Sequence, residues 1–117
     1  MNYLGLDYGA AKIGVALSGG SLAQPLETLS TASSIKAIEA LIKKHRIVAI
    51  IIGTAPKAYI VQLRSLRLPV FVVDETLSSH DARRALFHTS QTKRRELEHT
   101  AAAAIILQNW LDSHLPA

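Results

Sequence analysis

Asn2-Tyr3-Leu4-Gly5-Leu6-Asp7-Tyr8-Gly9-Ala10-Ala11-Lys12-Ile13-Gly14-Val15-Ala16-Leu17 is the stretch that decides the fold. Asn2–Leu6 and Ile13–Leu17 are short runs of apolar, β-branched and aromatic residues, and the segment from Asp7 to Lys12 between them is turn-like, so the whole reads as a β-hairpin. Leu22–Leu29 is entered through Gly19-Gly20-Ser21 and contains Pro25. Proline has no N–H to give to a ladder, which makes this a third strand at an edge or with a bulge. Three antiparallel strands come first.

The period then changes. Ser33 and Ser34 are placed to cap a helix whose apolar positions Ile35, Ile38, Leu41 and Ile42 fall three or four apart, and Lys43-Lys44-His45 suits its C-terminal dipole end. Val48–Ile52 and Pro69–Val73 are continuous apolar runs, the pattern of parallel strands buried on both faces. Only sixteen residues, Thr54–Pro69, separate Gly53 from Val70, leaving room for at most two turns of helix near Tyr59–Leu66. Ser78 and Asp81 resemble a capping box opening a helix through Ala82, Ala85, Leu86 and Phe87. From about Glu96 to Leu115 the positions Leu97, Ala101, Ala104, Ile105, Gln108, Leu111 and Leu115 keep helical spacing, with Trp110 beside them. An antiparallel meander followed by parallel strands with helical crossovers is a mixed α/β sheet.

With 117 residues the chain is expected to form a single domain, 1–117. Hydrophobic residues make up 49% and charged ones 19%, enough to bury a real core. There is no cysteine, which excludes disulfides, thiolate metal sites and a cysteine nucleophile. No basic leader precedes Asp7, and no apolar run approaches the ~20 residues that span a bilayer, so a soluble cytoplasmic protein with no membrane partner is expected. Thirteen Lys and Arg against nine Asp and Glu give +4. Arg83, Arg84, Lys93, Arg94 and Arg95 cluster without an intervening acid, alongside His88, and read either as a surface for backbone phosphates or as a solvated basic loop.

Acids at three places stand apart from the ordinary surface acids. Asp7 closes the first strand, Asp74 and Glu75 close the strand Pro69–Val73, and Glu98 falls in the first turn of the last predicted helix. Carboxylates at the ends of neighbouring strands converge at one sheet edge, and several oxygens about one point suit Mg²⁺ or Mn²⁺. Two such ions would activate water and stabilise the leaving oxygen in phosphodiester hydrolysis. Each acid also has a plainer reading: Asp7 as a turn cap, Asp74 or Glu75 as a strand-end acid, Glu98 as a complement to a helix N-terminus. His99 reads as a proton shuttle, a neutral ligand or simply an exposed helix-start histidine.

The element order resembles the ribonuclease H-like fold, and the motifs resemble the YqgF/RuvX family of Holliday junction resolvases and pre-16S rRNA nucleases. The opening Asp7-Tyr8-Gly9 with Lys12-Ile13-Gly14-Val15-Ala16 is similar to its Asp-x-Gly and Ile-Gly-Val-Ala signature. Pro25-Leu26-Glu27-Thr28, Ile50-Ile51-Ile52-Gly53, Leu68-Pro69-Val70 through Asp74-Glu75, and Ala101-Ala102 with Ile105-Ile106-Leu107-Gln108 follow in the family order. The resemblance implies that Asp7, Glu75 and Glu98 are catalytic carboxylates binding Mg²⁺ or Mn²⁺. Four departures accompany it: Glu98 stands where the family has Asp, Thr76 where it has Arg, Ala11 precedes Lys12 in place of a basic pair, and the 54–69 segment is shortened.

A metal-dependent nuclease acting on structured RNA, maturing a pre-16S rRNA end with ribosomal precursor particles as partners, is the leading expectation. Lys12, Arg83, Arg84, Lys93, Arg94 and Arg95 would contact the nucleic acid. A four-way DNA junction is the alternative substrate, and a nucleic-acid or protein-binding module that has lost its chemistry is a third reading. The Asp-x-Gly hairpin also resembles that of actin-like ATPases and sugar kinases, which clamp nucleotide between two domains, more than 117 residues supply.

Overall fold

In the computed structural model the described residues are 1–73 and 91–114, with the backbone alone for 91–97. The hairpin forms as expected: β1 (Asn2–Asp7) pairs antiparallel with β2 (Lys12–Ser18), and β2 with β3 (Ala23–Ser30). Both readings of Pro25 hold at once. β3 is the edge strand, and its register with β2 shifts between Val15 and Ala16, with Glu27 opposite Val15 and Pro25 opposite Ala16.

A 3-10 turn (Thr31–Ser33) leads into α1 (Ser34–His45), which ends on Arg46 in the left-handed conformation. Ser33 occupies the cap position without a side-chain cap bond, in contrast to the expected capping. Ser34 is turned inward instead: its Oγ donates to Thr31 O at 2.8 Å and accepts from the Tyr59 hydroxyl at 2.7 Å. Burial, the largest influence, pushes the Tyr59 hydroxyl's pKa up.

β4 (Ile47–Ile52) pairs parallel with β1, α2 (Lys57–Arg64) makes the short crossover, and β5 (Val70–Val72) pairs parallel with β4. The sheet order is β3-β2-β1-β4-β5. α2 has eight residues, two turns, matching what the 54–69 segment allows. β4 is buried on both faces over Ala49–Ile52, but β5 is not: Phe71 is 40% and Val72 48% exposed, because this strand is the other edge of the described sheet.

Alternation along the strands builds two cores. Leu4, Leu6, Ile13, Val15, Ile50 and Ile52 face α1 and α2, meeting Ile38, Leu41, Tyr59 and Leu63. Tyr3, Ala16, Ala49 and Ile51 face α3 (Gln91–His114). Each fully buried Leu or Ile contributes roughly 1.5–3 kcal/mol. α3 begins five residues before the expected Glu96, since Gln91-Thr92-Lys93-Arg94-Arg95 is helical yet carries no apolar period. Its buried face is also displaced from expectation: Ala102, Ala103, Ile106, Leu107, Trp110 and Leu111 are buried, whereas Ala101, Ala104 and Ile105 are only half-buried. The helix is apolar on several sides, so spacing alone did not select its face.

Glycines select it. A Cβ on Gly5 would lie 2.7 Å from Leu107 Cβ and 2.8 Å from Ala103 O, so α3 crosses β1 at a distance only glycine permits. Gln108 locks the far side, accepting from Ala23 N at 2.9 Å and donating to Ser21 O at 2.8 Å. The predicted helix through Ala82–Phe87 lies outside the described residues. Among the described residues, no helix is long and apolar enough to cross a membrane.

Candidate active site

Asp7 is the last residue of β1, and its position follows from the hairpin. In the antiparallel register it stands opposite Gly14. The missing side chain at Gly14 is filled by α3: an added Cβ would sit 2.0 Å from His99 O, 2.2 Å from His99 C and 2.8 Å from Thr100 N. The helix backbone at residues 99–100 therefore rests on β2 directly across from Asp7, and His99 Nδ1 comes to 3.1 Å from Asp7 Oδ2. The hairpin loop is held in turn by Thr31, whose Oγ1 donates to Gly9 O at 2.7 Å and whose N–H donates to Ala11 O at 3.0 Å.

Asp7 is 7% exposed, a carboxylate that burial would penalise without a partner. His99 supplies one. The hydrogen bond to Asp7 raises the His99 pKa above its ordinary value; burial works against that, and the charges of Asp7 and Glu98 add to it while Lys12 opposes. Asp7, Glu98, His99 and Lys12 thus form one electrostatic group at the C-terminal edge of β1. His99 is not the exposed helix-start residue of the plainer reading, and Glu98 is not in a first turn: α3 starts at Gln91, so Glu98 is two turns in and does not serve as the complement of a helix N-terminus. The plainer account of Glu98 fails for the same reason that the helix start was misplaced.

Other expected residues fall as follows. Lys12 opens β2 and is exposed. β5 runs parallel to β1 through β4, with Val73 N–H donating to Ile52 O at 2.8 Å and Gly53 N–H to Leu6 O at 3.2 Å, so the two strands finish at the same edge. Glu75, two positions beyond Val73, lies outside the described residues, as do Asp74, Thr76, Arg83, Arg84 and His88. Lys93, Arg94 and Arg95 belong to the opening turns of α3 rather than to a loop. A groove of about 720 Å³ flanks the site along β3, lined by Lys12, Glu27, Thr28, Ser30 and Thr100 among others.

Carboxylate oxygens suit a divalent cation in chemistry, and Asp7 is a buried one, though among the described residues no three His, Cys, Asp or Glu side chains gather to hold an ion by themselves. The 3.1 Å Asp7–His99 contact is a hydrogen bond, and Glu98 acts on that histidine through its charge. The contact of His99 with Asp7 was not legible in the sequence, because it depends on the docking of α3 over Gly14, opposite Asp7.

A mixed sheet of this order is the ribonuclease H-like fold, and the solved structures agree. Thermus thermophilus RuvC in complex with a Holliday junction substrate matches with a TM-score of 0.63 and 17% identity, over 98% of this chain and 96% of that one. Fowlpox virus resolvase, solved with Holliday junction DNA, also matches at 0.63, with 10% identity over 99% of this chain and 100% of that one. The chain belongs to the RuvX family, whose model, described as Holliday junction resolvase, matches residues 1–60 and 55–113. Among its relatives, proteins named "Putative pre-16S rRNA nuclease" from Gloeobacter violaceus and Geobacillus kaustophilus are 37% and 35% identical. The first match covers 96% of this chain and 84% of the relative, the second 97% and 99%.

Proposed function

We propose that this chain, as one ribonuclease H-like domain over residues 1–117, is a cytoplasmic metal-dependent nuclease that hydrolyses phosphodiester bonds in structured nucleic acid, with a pre-16S ribosomal RNA end as its substrate. The observation that carries this reading is the buried Asp7 at the end of the central strand, hydrogen-bonded to His99 from α3, with Glu98 acting on that histidine through its charge. The names of the relatives favour the RNA substrate. The family description and the two junction-bound neighbours favour a four-way DNA junction, which stands as the second reading.

Asp7, Glu75 and Glu98 would hold Mg²⁺ or Mn²⁺. Such an ion, when bound, supplies activation of water and neutralisation of the leaving oxygen. The chain's own groups do the rest. His99 holds the Asp7 carboxylate in one orientation. Lys12, exposed at the start of β2, would attract the phosphate backbone toward the groove along β3, and the charges of Arg83, Arg84, Lys93, Arg94 and Arg95 would add to that attraction.

The test is cleavage of structured RNA and of a four-way DNA junction by the protein and by Asp7→Asn, each with Mg²⁺, Mn²⁺ or EDTA. Cleavage that needs both metal and Asp7 is expected, and RNA is expected to be the better substrate. A junction cut in preference to RNA selects the second reading. Intact nucleic acid in every lane, with both proteins folded and still binding it, would make the chain a binding module without chemistry.

A further inference from the structure

We propose that Tyr59, from the short crossover helix α2, is a positioning residue that braces the loop leaving Asp7; the inference rests on the metal-dependent nuclease reading above. The Asp7 carboxylate turns toward α3, and the next side chain, Tyr8, takes the opposite face, where it packs on the core under α1 and α2. There the Tyr8 and Tyr59 rings stand with centroids 4.9 Å apart at 59°, within the tilted range that aromatic pairs prefer. The Tyr59 hydroxyl reaches the same loop by a second route. It donates to Ser34 Oγ at 2.7 Å, because the single Ser34 hydroxyl proton is already given to Thr31 O at 2.8 Å. Thr31 then donates through Oγ1 to Gly9 O at 2.7 Å and through its N–H to Ala11 O at 3.0 Å.

One side chain thereby grips Tyr8, Gly9 and Ala11, three of the four residues between Asp7 and Lys12. The donors all point one way, from α2 through α1 to the loop, and Ser34 and Tyr59 are both buried, where hydrogen bonds in series reinforce one another. The loop has little slack to absorb a shift. A Cβ on Gly9 would collide with Lys12 O, and it would lie 3.2 Å from His99 Cε1, so the loop also abuts the histidine that pairs with Asp7. Movement at Tyr8 or Gly9 is therefore passed to the Asp7–His99 pair. The two-turn crossover of residues 54–69 supplies the brace, which gives this short segment a task in the site beyond linking β4 to β5.

The test compares wild type with Tyr59→Phe, which keeps the ring and removes the hydroxyl, with Ser34→Ala, and with the double variant. Single-turnover cleavage of structured RNA is measured well below each Tm, together with the Kd for the same RNA and hydrogen exchange of backbone amides. Tyr59→Phe should cut on the order of 10-fold more slowly with Kd unchanged, the low end of what losing a supporting group behind a metal-site ligand costs. Ser34→Ala should slow cleavage at least as much, and the double variant should be no slower than Ser34→Ala, because both changes break one chain. The Thr31 amide, held by Ala11 O, should exchange faster in each variant, while the Gly53 amide, held by Leu6 O outside the chain, keeps its rate. A loss of overall stability alone would speed both amides. Ile47→Val, at the far end of β4 beside Asn2, is the stability control and should cut like wild type. A Tyr59→Phe protein that cuts at the wild-type rate, or that slows with Thr31 exchange unaltered, overturns the proposal and leaves the nuclease reading standing. A wild-type protein that cuts nothing overturns both. Circular dichroism reports whether each variant folds, and if Ser34→Ala does not, Tyr59→Phe alone decides.

Discussion

Gly14→Ala is the sharpest perturbation of the contact between sheet and helix. The new Cβ would lie 2.0 Å from His99 O, where ordinary contact begins at 3.4 Å, so α3 must lift by about 1.4 Å at this end. Backbone atoms, not a flexible side-chain tip, are what it meets. No described glycine has a positive φ, so alanine suits the local backbone and even gains roughly 0.4–1 kcal/mol through the unfolded chain. Overpacking of this kind costs about 1–3 kcal/mol, occasionally more, and the rigidity of both partners puts Gly14 at the upper end. A net loss near 2 kcal/mol should lower Tm by roughly 5–12 °C. The functional loss should be larger, because a displacement of about 1 Å in catalytic geometry costs on the order of 100-fold in rate. Gly20→Ala is the control, since a Cβ there meets nothing within 4 Å. Thermal melts and single-turnover cleavage of structured RNA would be compared for both variants. A Gly14→Ala protein that melts and cuts like Gly20→Ala would show that α3 does not rest on β2 as described.

Three further outcomes are expected. In metal-free buffer the His99–Asp7 pair stabilises the fold while His99 is protonated: its folded pKa is raised above the unfolded value of about 6.5, so the contribution is full below that pH and is lost as pH rises through the folded value. The Tm difference between wild type and His99→Gln should therefore shrink toward alkaline pH, solvent exposure of the ring keeping it small throughout, and a difference that grew with pH would contradict the pairing. Gln108→Ala should cost about 1–3 kcal/mol in chemical denaturation, because Ala23 N–H and Ser21 O lose their partner; an unchanged midpoint would mean that water replaces the amide without loss. Neutralising Arg94 and Arg95 should weaken nucleic-acid binding and flatten its salt dependence by about one unit of slope per lost phosphate contact, and an unaltered slope would make them bystanders.

The strands were legible because their signals are local. The apolar, β-branched and aromatic runs of β1 and β2, Pro25 in β3 and the run Val48–Ile52 each point to one structure within a few residues. The length of the 54–69 segment alone limited α2 to two turns. What sequence reading misplaced depended on contacts far along the chain. β5 has the composition of an interior strand, yet Phe71 packs on Trp110 with ring centroids 5.1 Å apart and remains partly open, because no described strand lies beyond it. The face of α3 is chosen by the notches at Gly5 and Gly14, which apolar periodicity does not encode. Asp7 was singled out from its place at a strand end, and His99 as one of several readings beside Glu98. That the two meet requires knowing that residue 99 lands opposite Gly14.

The Asp7–His99 contact joins residues 92 positions apart, so one is made well before the other. At about 5–20 residues per second, roughly 5–20 s pass between them on the ribosome. Throughout that interval the nascent hairpin displays its carboxylate without the helix that completes the cluster. Fragments released early by stalled or truncated translation would carry the acid and no assembled centre. Assembly of the pair is thus timed by the order of synthesis, and the Asp7–His99 contact first exists once α3 has been added.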